Sequence, residues 1–160
     1  MTKRVIIALL CFVNSCKPNP CNILSIPETL ESICDSTSKV SLTFEGISIL
    51  YYFNADCSSC ISNIERFKNS SMILQNNDVI NIILMGFSEN PSIACYYLLE
   101  MNLPFEVYKD TRQSFLALNN LNEGNFTFFI NSEKKILYSS TKFDIGNIED
   151  YLEKNINITK

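Results

Sequence analysis

Two cysteines, Cys57 and Cys60, stand in a C-x-x-C spacing a few residues after the apolar run of residues 47–53, ISILYYF. A cysteine pair at this spacing supports three kinds of chemistry: thiol–disulfide exchange, metal ligation, or a structural clip. A tetrahedral metal site needs further ligands, and the chain offers neither a second C-x-x-C nor a histidine to complete one. No metal and no other cofactor is therefore expected. The absence of histidine also removes the commonest general base. At 160 residues with 46% apolar composition, the chain has the length of one domain with its own core. Its net charge of −4 and lack of a basic patch exclude nucleic acid as an expected partner.

The elements that must position the pair follow from periodicity and punctuation. Residues 26–34, IPETLESIC, read as a short helix with Pro27 in its first turn. Residues 39–46 alternate apolar and polar, as a half-buried strand does, and 47–53 read as a strand buried on both faces. After the pair, Cys60, Ile64 and Phe67 fall on one face of a helix. Residues 79–87 form a second strongly apolar strand. Residues 90–101 form a helix with Asn90 as N-cap and Pro91 in the first helical position. A short strand at 105–110 precedes a helix over 111–121, opened by a capping box of Asp110 and Gln113. NFTFFI and KKILYS flank NSEK as a β-hairpin, and a helix at 147–156 closes the chain. Strands alternating with helices imply parallel pairs, and the late hairpin adds antiparallel ones, so an α/β fold with a mixed central sheet flanked by helices is expected.

The N-terminus carries a separate signal. Lys3 and Arg4 precede an apolar run from Val5 to Val13, well short of the about 20 residues that span a bilayer. Ser15 then precedes Cys16. This pattern resembles the lipobox of bacterial lipoproteins, which implies a signal peptide over residues 1–15 and a lipid on Cys16. Residues 16–24, with KPNPCN, read as a tether, and 25–160 as the domain. Loss of Lys3 and Arg4 takes the net charge from −4 to −6. An exported domain lies where disulfides persist. Five cysteines remain beyond Cys11 and Cys16: Cys21, Cys34, Cys57, Cys60 and Cys95. An odd number cannot pair fully within one chain. Cys95, among apolar helical positions, reads as a buried inert thiol, while Cys21 and Cys34 are a candidate pair that sequence alone does not decide.

A C-x-x-C that ends a buried strand and opens a helix resembles the thioredoxin motif. The whole element order from about residue 25, including LPFEVYKD and FTFFINSEKKILYSS, resembles the thioredoxin-like fold. The likeness is strongest to thioredoxin-like thiol–disulfide oxidoreductases tethered in the bacterial cell envelope. That resemblance implies a Cys57–Cys60 redox disulfide, with Cys57 attacking a partner disulfide and Cys60 resolving the mixed disulfide. A thiolate at a helix N-terminus is favoured by orphan N–H groups and the macrodipole. The implied partners are protein thiols and disulfides of the envelope or another redox carrier, with the membrane reached through the lipid on Cys16. The implied location is the periplasm or the cell surface. The alternative is a non-catalytic thioredoxin-like lipoprotein, an interaction module whose cysteines form a structural disulfide.

The sequence departs from the family at four places. Asp56 stands where Trp usually precedes the first cysteine, and its charge is expected to oppose the Cys57 thiolate. Tyr51 occupies the place of a buried carboxylate. Ser58-Ser59 replaces the common central Gly-Pro. Phe126 falls where the family has a cis-proline whose preceding residue, here Asn125, hydrogen-bonds the substrate. Asn125, Phe126 and Asp56 are thus the expected substrate-binding residues. A trans Asn125–Phe126 bond is expected, with the Phe126 ring packed near Cys57 and shielding it, which gives weak general disulfide reductase activity.

Overall fold

The computed structural model describes residues 23–35, 37–70 and 80–155. The expected signal peptide, Cys16, Cys21 and all of the tether but Ile23 and Leu24 lie outside them. Seven strands form one mixed sheet: β1 (Leu30–Ser32), β2 (Lys39–Val40), β3 (Ile47–Asn54), β4 (Ile80–Phe87), β5 (Val107–Lys109), β6 (Phe126–Ile130) and β7 (Ile136–Ser140). Among the described residues four α-helices flank it: α1 (Ser58–Asn69), α2 (Pro91–Glu100), α3 (Ser114–Leu118) and α4 (Ile145–Asn155). The spatial order is β2-β1-β5-β4-β3-β6-β7. β3 runs parallel to β4, and β4 to β5, while β3–β6, β6–β7, β1–β5 and β1–β2 are antiparallel.

β3 and β4 lie inside the sheet because their sequences tolerate burial on both faces. Ser48 through Phe53 are all buried. The period of two divides them between two cores. Ile49, Tyr51 and Phe53 pack with Cys60, Ile64 and Phe67 of α1, Ala94 and Leu98 of α2, and Ile148 and Leu152 of α4. Leu50 and Tyr52 pack on the opposite face with Leu24, Leu30, Phe115 and Phe128. Each central strand thus ends at one point between helix-covered faces, and the cysteine pair follows β3 at its carboxyl end.

Four local expectations need correction. The helix expected at 26–34 is instead the strand β1, with Leu30 and Ser32 buried on one side. Glu31 faces the other way and ion-pairs with Lys109 of β5 at 3.6 Å and Lys39 of β2 at 3.8 Å. A free edge of β5 outweighed a weak helical pattern. The strand expected at 39–46 shrinks to Lys39–Val40. The capping box takes another form. Asp110 is buried and receives the Phe115 backbone N–H at 3.1 Å, the Ser114 hydroxyl at 2.6 Å and the Tyr52 hydroxyl at 3.0 Å. Thr111–Gln113 form a separate 3₁₀ turn in which Arg112 and Gln113 have positive φ, so Gln113 cannot reach back as a capping partner.

The fourth correction concerns cysteine pairing. Cys34 and Cys95 form a disulfide, 61 residues apart in sequence. Cys95 is therefore not an inert thiol, and Cys34 is not Cys21's partner. The α2 pattern misled because its apolar residues are mostly outside: Ile93, Tyr96, Tyr97 and Leu99 are exposed. Only Ala94 and Leu98 form the buried stripe of α2, and Cys95 at its margin meets the chain just after β1.

Candidate active site

β3 ends at Asn54, whose side-chain oxygen accepts the Asp56 backbone N–H at 2.8 Å and turns the chain sharply. Cys57 is then the N-cap of α1. Its carbonyl accepts the backbone N–H of Cys60 at 3.0 Å and of Ile61 at 3.1 Å, which starts the helix. Cys57 is half-buried and Cys60 is 3% exposed, and both are thiols in this structure. The asymmetry follows from helix geometry, since Cys60 shares the buried face of Ile64 and Phe67 whereas Cys57 precedes the first turn.

The electrostatics separate the two thiols. Hydrogen bonding to Cys60 lowers the Cys57 pKa below the ordinary cysteine range, with help from Ser59. The Ser59 hydroxyl lies 3.1 Å from the Cys57 sulfur. Burial pushes the Cys60 thiol up, and the thiolate character of Cys57 adds to this. A low first thiol over a raised second one is the division that an attacking and a resolving cysteine require.

Three residues frame the pair from other elements. Asn125, just ahead of β6, donates from Nδ2 to the Cys60 sulfur at 3.2 Å, and its Oδ1 accepts the Asn54 backbone N–H at 3.2 Å. Tyr51 is fully buried beneath the pair, and burial pushes its pKa up to about 12. Its hydroxyl accepts from Asn63 Nδ2 at 3.4 Å. Asp56 turns away from the cysteines: its carboxylate accepts the Ser88 hydroxyl at 2.6 Å and the Glu89 backbone N–H at 2.7 Å, fixing the β4–α2 loop. The Cys57 pKa is lowered despite the neighbouring carboxylate, by hydrogen bonds from Cys60 and Ser59.

Phe126 does not shield Cys57. Its ring packs into the core of the opposite sheet face and stacks on Phe128, with centroids 6.0 Å apart. The alternation of β6 explains this: Phe126, Phe128 and Ile130 share one face, and Asn125 with Thr127 the other. The described residues contain no cis peptide bond, so the Asn125–Phe126 bond is trans as expected. Beside the pair, a groove of about 570 Å³ runs between α1 and α2, lined by Asp56, Ser58, Ile61, Glu65, Ile93 and Tyr97 among others.

Solved structures share this architecture. A Chlorobium tepidum protein assigned as the thiol:disulfide interchange protein DsbE superposes with a TM-score of 0.67 at 17% identity, over 84% of this chain and 94% of its own. The fold is thioredoxin-like. A secreted Mycobacterium tuberculosis disulfide oxidoreductase matches this thioredoxin-like domain with a TM-score of 0.64 at 10% identity, covering 79% and 94% of the two chains. StoA from Bacillus subtilis matches with a TM-score of 0.63 at 12% identity, covering 81% and 98%. No family model matches the sequence, and a search of curated proteins finds no match. Of the site residues expected from sequence, Cys57, Cys60 and Asn125 converge in the thioredoxin-like domain, Asp56 lines the adjoining groove with its carboxylate held by Ser88 and Glu89, and Phe126 packs into the opposite core. The contact of Asn125 with Cys60 joins residues 65 apart, and nothing local in the sequence signals it.

Proposed function

We propose that this thioredoxin-like domain is a thiol–disulfide oxidoreductase acting on protein disulfides outside the cytoplasm. The observation that carries the reading is the asymmetric C-x-x-C. An accessible N-cap thiol with a lowered pKa stands over a buried thiol with a raised one, at the carboxyl end of the central strands. Cys57 attacks the partner disulfide and Cys60 resolves it, which leaves the Cys57–Cys60 disulfide on the enzyme. The groove between α1 and α2 opens beside Cys57 and supplies a surface along which an extended segment of the partner lies.

Two observations support the location. The Cys34–Cys95 disulfide suits an oxidising compartment such as the envelope. The basic start, short apolar run and Ser15-Cys16 pattern support export and lipid attachment at Cys16. In the native host, Cys60→Ser is expected to accumulate mixed disulfides with envelope proteins through Cys57. Cys16→Ala is expected to move the protein out of the membrane fraction. No trapped partner, together with equal resistance of both thiols to alkylation after mild reduction, favours the interaction-module reading instead.

A further inference from the structure

Cys60 has a difficult task for a buried thiol. To resolve a mixed disulfide it must become a thiolate where water is largely excluded, and burial opposes that charge. The groups that face it are the Cys57 sulfur, Ser59, Asn125 and, from the floor of the site, the Tyr51 hydroxyl. None of these is a cation. Ser59 sits on the Cys57 sulfur and lowers the Cys60 pKa less than Asn125 does, and the Tyr51 hydroxyl receives its own hydrogen bond from Asn63. The Asn125 amide is the stronger donor to the Cys60 sulfur, at 3.2 Å.

The orientation of that amide is fixed by chemistry. The Asn54 backbone N–H can only donate, and it donates to Asn125 Oδ1, so the nitrogen end must face the sulfur. The side chain is also fixed in place. Phe126, next in sequence, is locked by stacking on Phe128, and β6 pairs with β3 from Tyr52↔Phe126 onward. Asn125 extends that ladder by one side-chain hydrogen bond and ends on Cys60.

We propose, resting on the oxidoreductase reading, that Asn125 is a catalytic residue of the resolving step: its Nδ2–H group stabilises the Cys60 thiolate that attacks the mixed disulfide. In the first step the Cys57 thiolate attacks a protein disulfide. A bond forms between Cys57 Sγ and one partner sulfur, the partner S–S bond breaks, and the other partner sulfur leaves as a thiolate that takes up a proton. In the second step Cys60 gives its proton to solvent. Its thiolate, held by Asn125, attacks Cys57 Sγ. The Cys57–Cys60 bond forms, the mixed disulfide breaks, and the second partner sulfur leaves as a thiolate. Two electrons pass from the dithiol to the partner disulfide. A hydrogen bond to a charged group is stronger than one to a neutral group, so the amide contributes most when the thiolate forms.

The test uses the full chain and two readouts. In a Cys57→Ser background, the pH dependence of iodoacetamide labelling at the Cys60 peptide, followed by mass spectrometry, reports the Cys60 thiolate directly. Asn125→Ala is expected to move that midpoint to higher pH and to slow labelling at neutral pH by about tenfold. With both cysteines present and a mixed-disulfide-forming peptide as substrate, single-turnover quenching is expected to show the mixed disulfide accumulating in Asn125→Ala, with resolution slowed more than attack. Asn125→Leu, near in volume and carrying neither donor nor charge, provides the same comparison if Asn125→Ala folds poorly. An unchanged Cys60 midpoint overturns the proposal, as does equal slowing of attack and resolution. A shifted midpoint with no mixed disulfide formed even by the native chain leaves the Asn125–Cys60 hydrogen bond standing, but overturns its catalytic role together with the oxidoreductase reading.

Discussion

Cys57 owes its lowered pKa to neutral donors. The Cys60 thiol is the larger influence and the Ser59 hydroxyl, at 3.1 Å, the next. The second serine of the motif therefore has a definite task. Ser59→Ala should raise the Cys57 midpoint, which reduces the thiolate fraction at neutral pH and slows iodoacetamide labelling by about threefold, as for one lost hydrogen bond. Cys57 should nevertheless be labelled ahead of Cys60, because its pKa is shifted down and that of Cys60 up. A labelling rate unaffected by Ser59→Ala would remove Ser59 from the account. Residue identity alone misjudged two neighbours of the pair. Asp56 carries the charge expected of it but directs it to Ser88 and Glu89, and Phe126 directs its ring into the far core. Side-chain direction at these positions is set by the turn after Asn54 and the phase of β6.

At the level of elements, β3 and β4 decide where the pair sits, and their contact is close. Gly86 pairs with Phe53, and a Cβ at Gly86 would meet the Phe53 ring at 2.9 Å. Phe53 is fully buried and stacks on Tyr51 at 5.5 Å between centroids, so the ring has little room to yield. Gly86→Ala should therefore cost about 1–3 kcal/mol of stability, read as a lower urea midpoint at constant slope. An unchanged midpoint would mean that the strands separate more easily than the packing implies. The same pairing explains what the sequence showed about elements. Long apolar runs such as 47–53 and 79–87 can satisfy themselves only inside a sheet. A segment such as 26–34 has no strong preference of its own, and it takes the conformation that covers the edge of β5.

For the molecule as a whole, the Cys34–Cys95 disulfide ties α2 to the chain after β1 and encloses β2, β3, α1 and β4 in its loop. Closing a loop of 61 residues is worth about 4 kcal/mol through the entropy of the unfolded chain. Cys34→Ser with Cys95→Ser should lower unfolding stability by about that amount in denaturant melts. Thiol exchange at Cys57 should persist under conditions where the variant remains folded, since neither cysteine touches the site. Loss of exchange in a folded variant would show instead that α2, and with it the groove beside Cys57, needs the clamp.

The sequence by itself determined the central strands, the helix that carries Cys60, the late hairpin and the C-x-x-C between β3 and α1. Each rests on a local pattern: apolar runs, helical periodicity, or a spacing of three. Tertiary structure decided what depends on partners far along the chain. It chose Cys95 rather than Cys21 for Cys34, turned Cys95's helix so that most of its apolar residues face outward, and set Asn125 against Cys60 across 65 residues. The physical reason is one of range. Burial and periodicity are properties of a segment, whereas disulfide partners, cross-strand hydrogen bonds and the face a side chain takes are fixed only when the sheet assembles and its register is set.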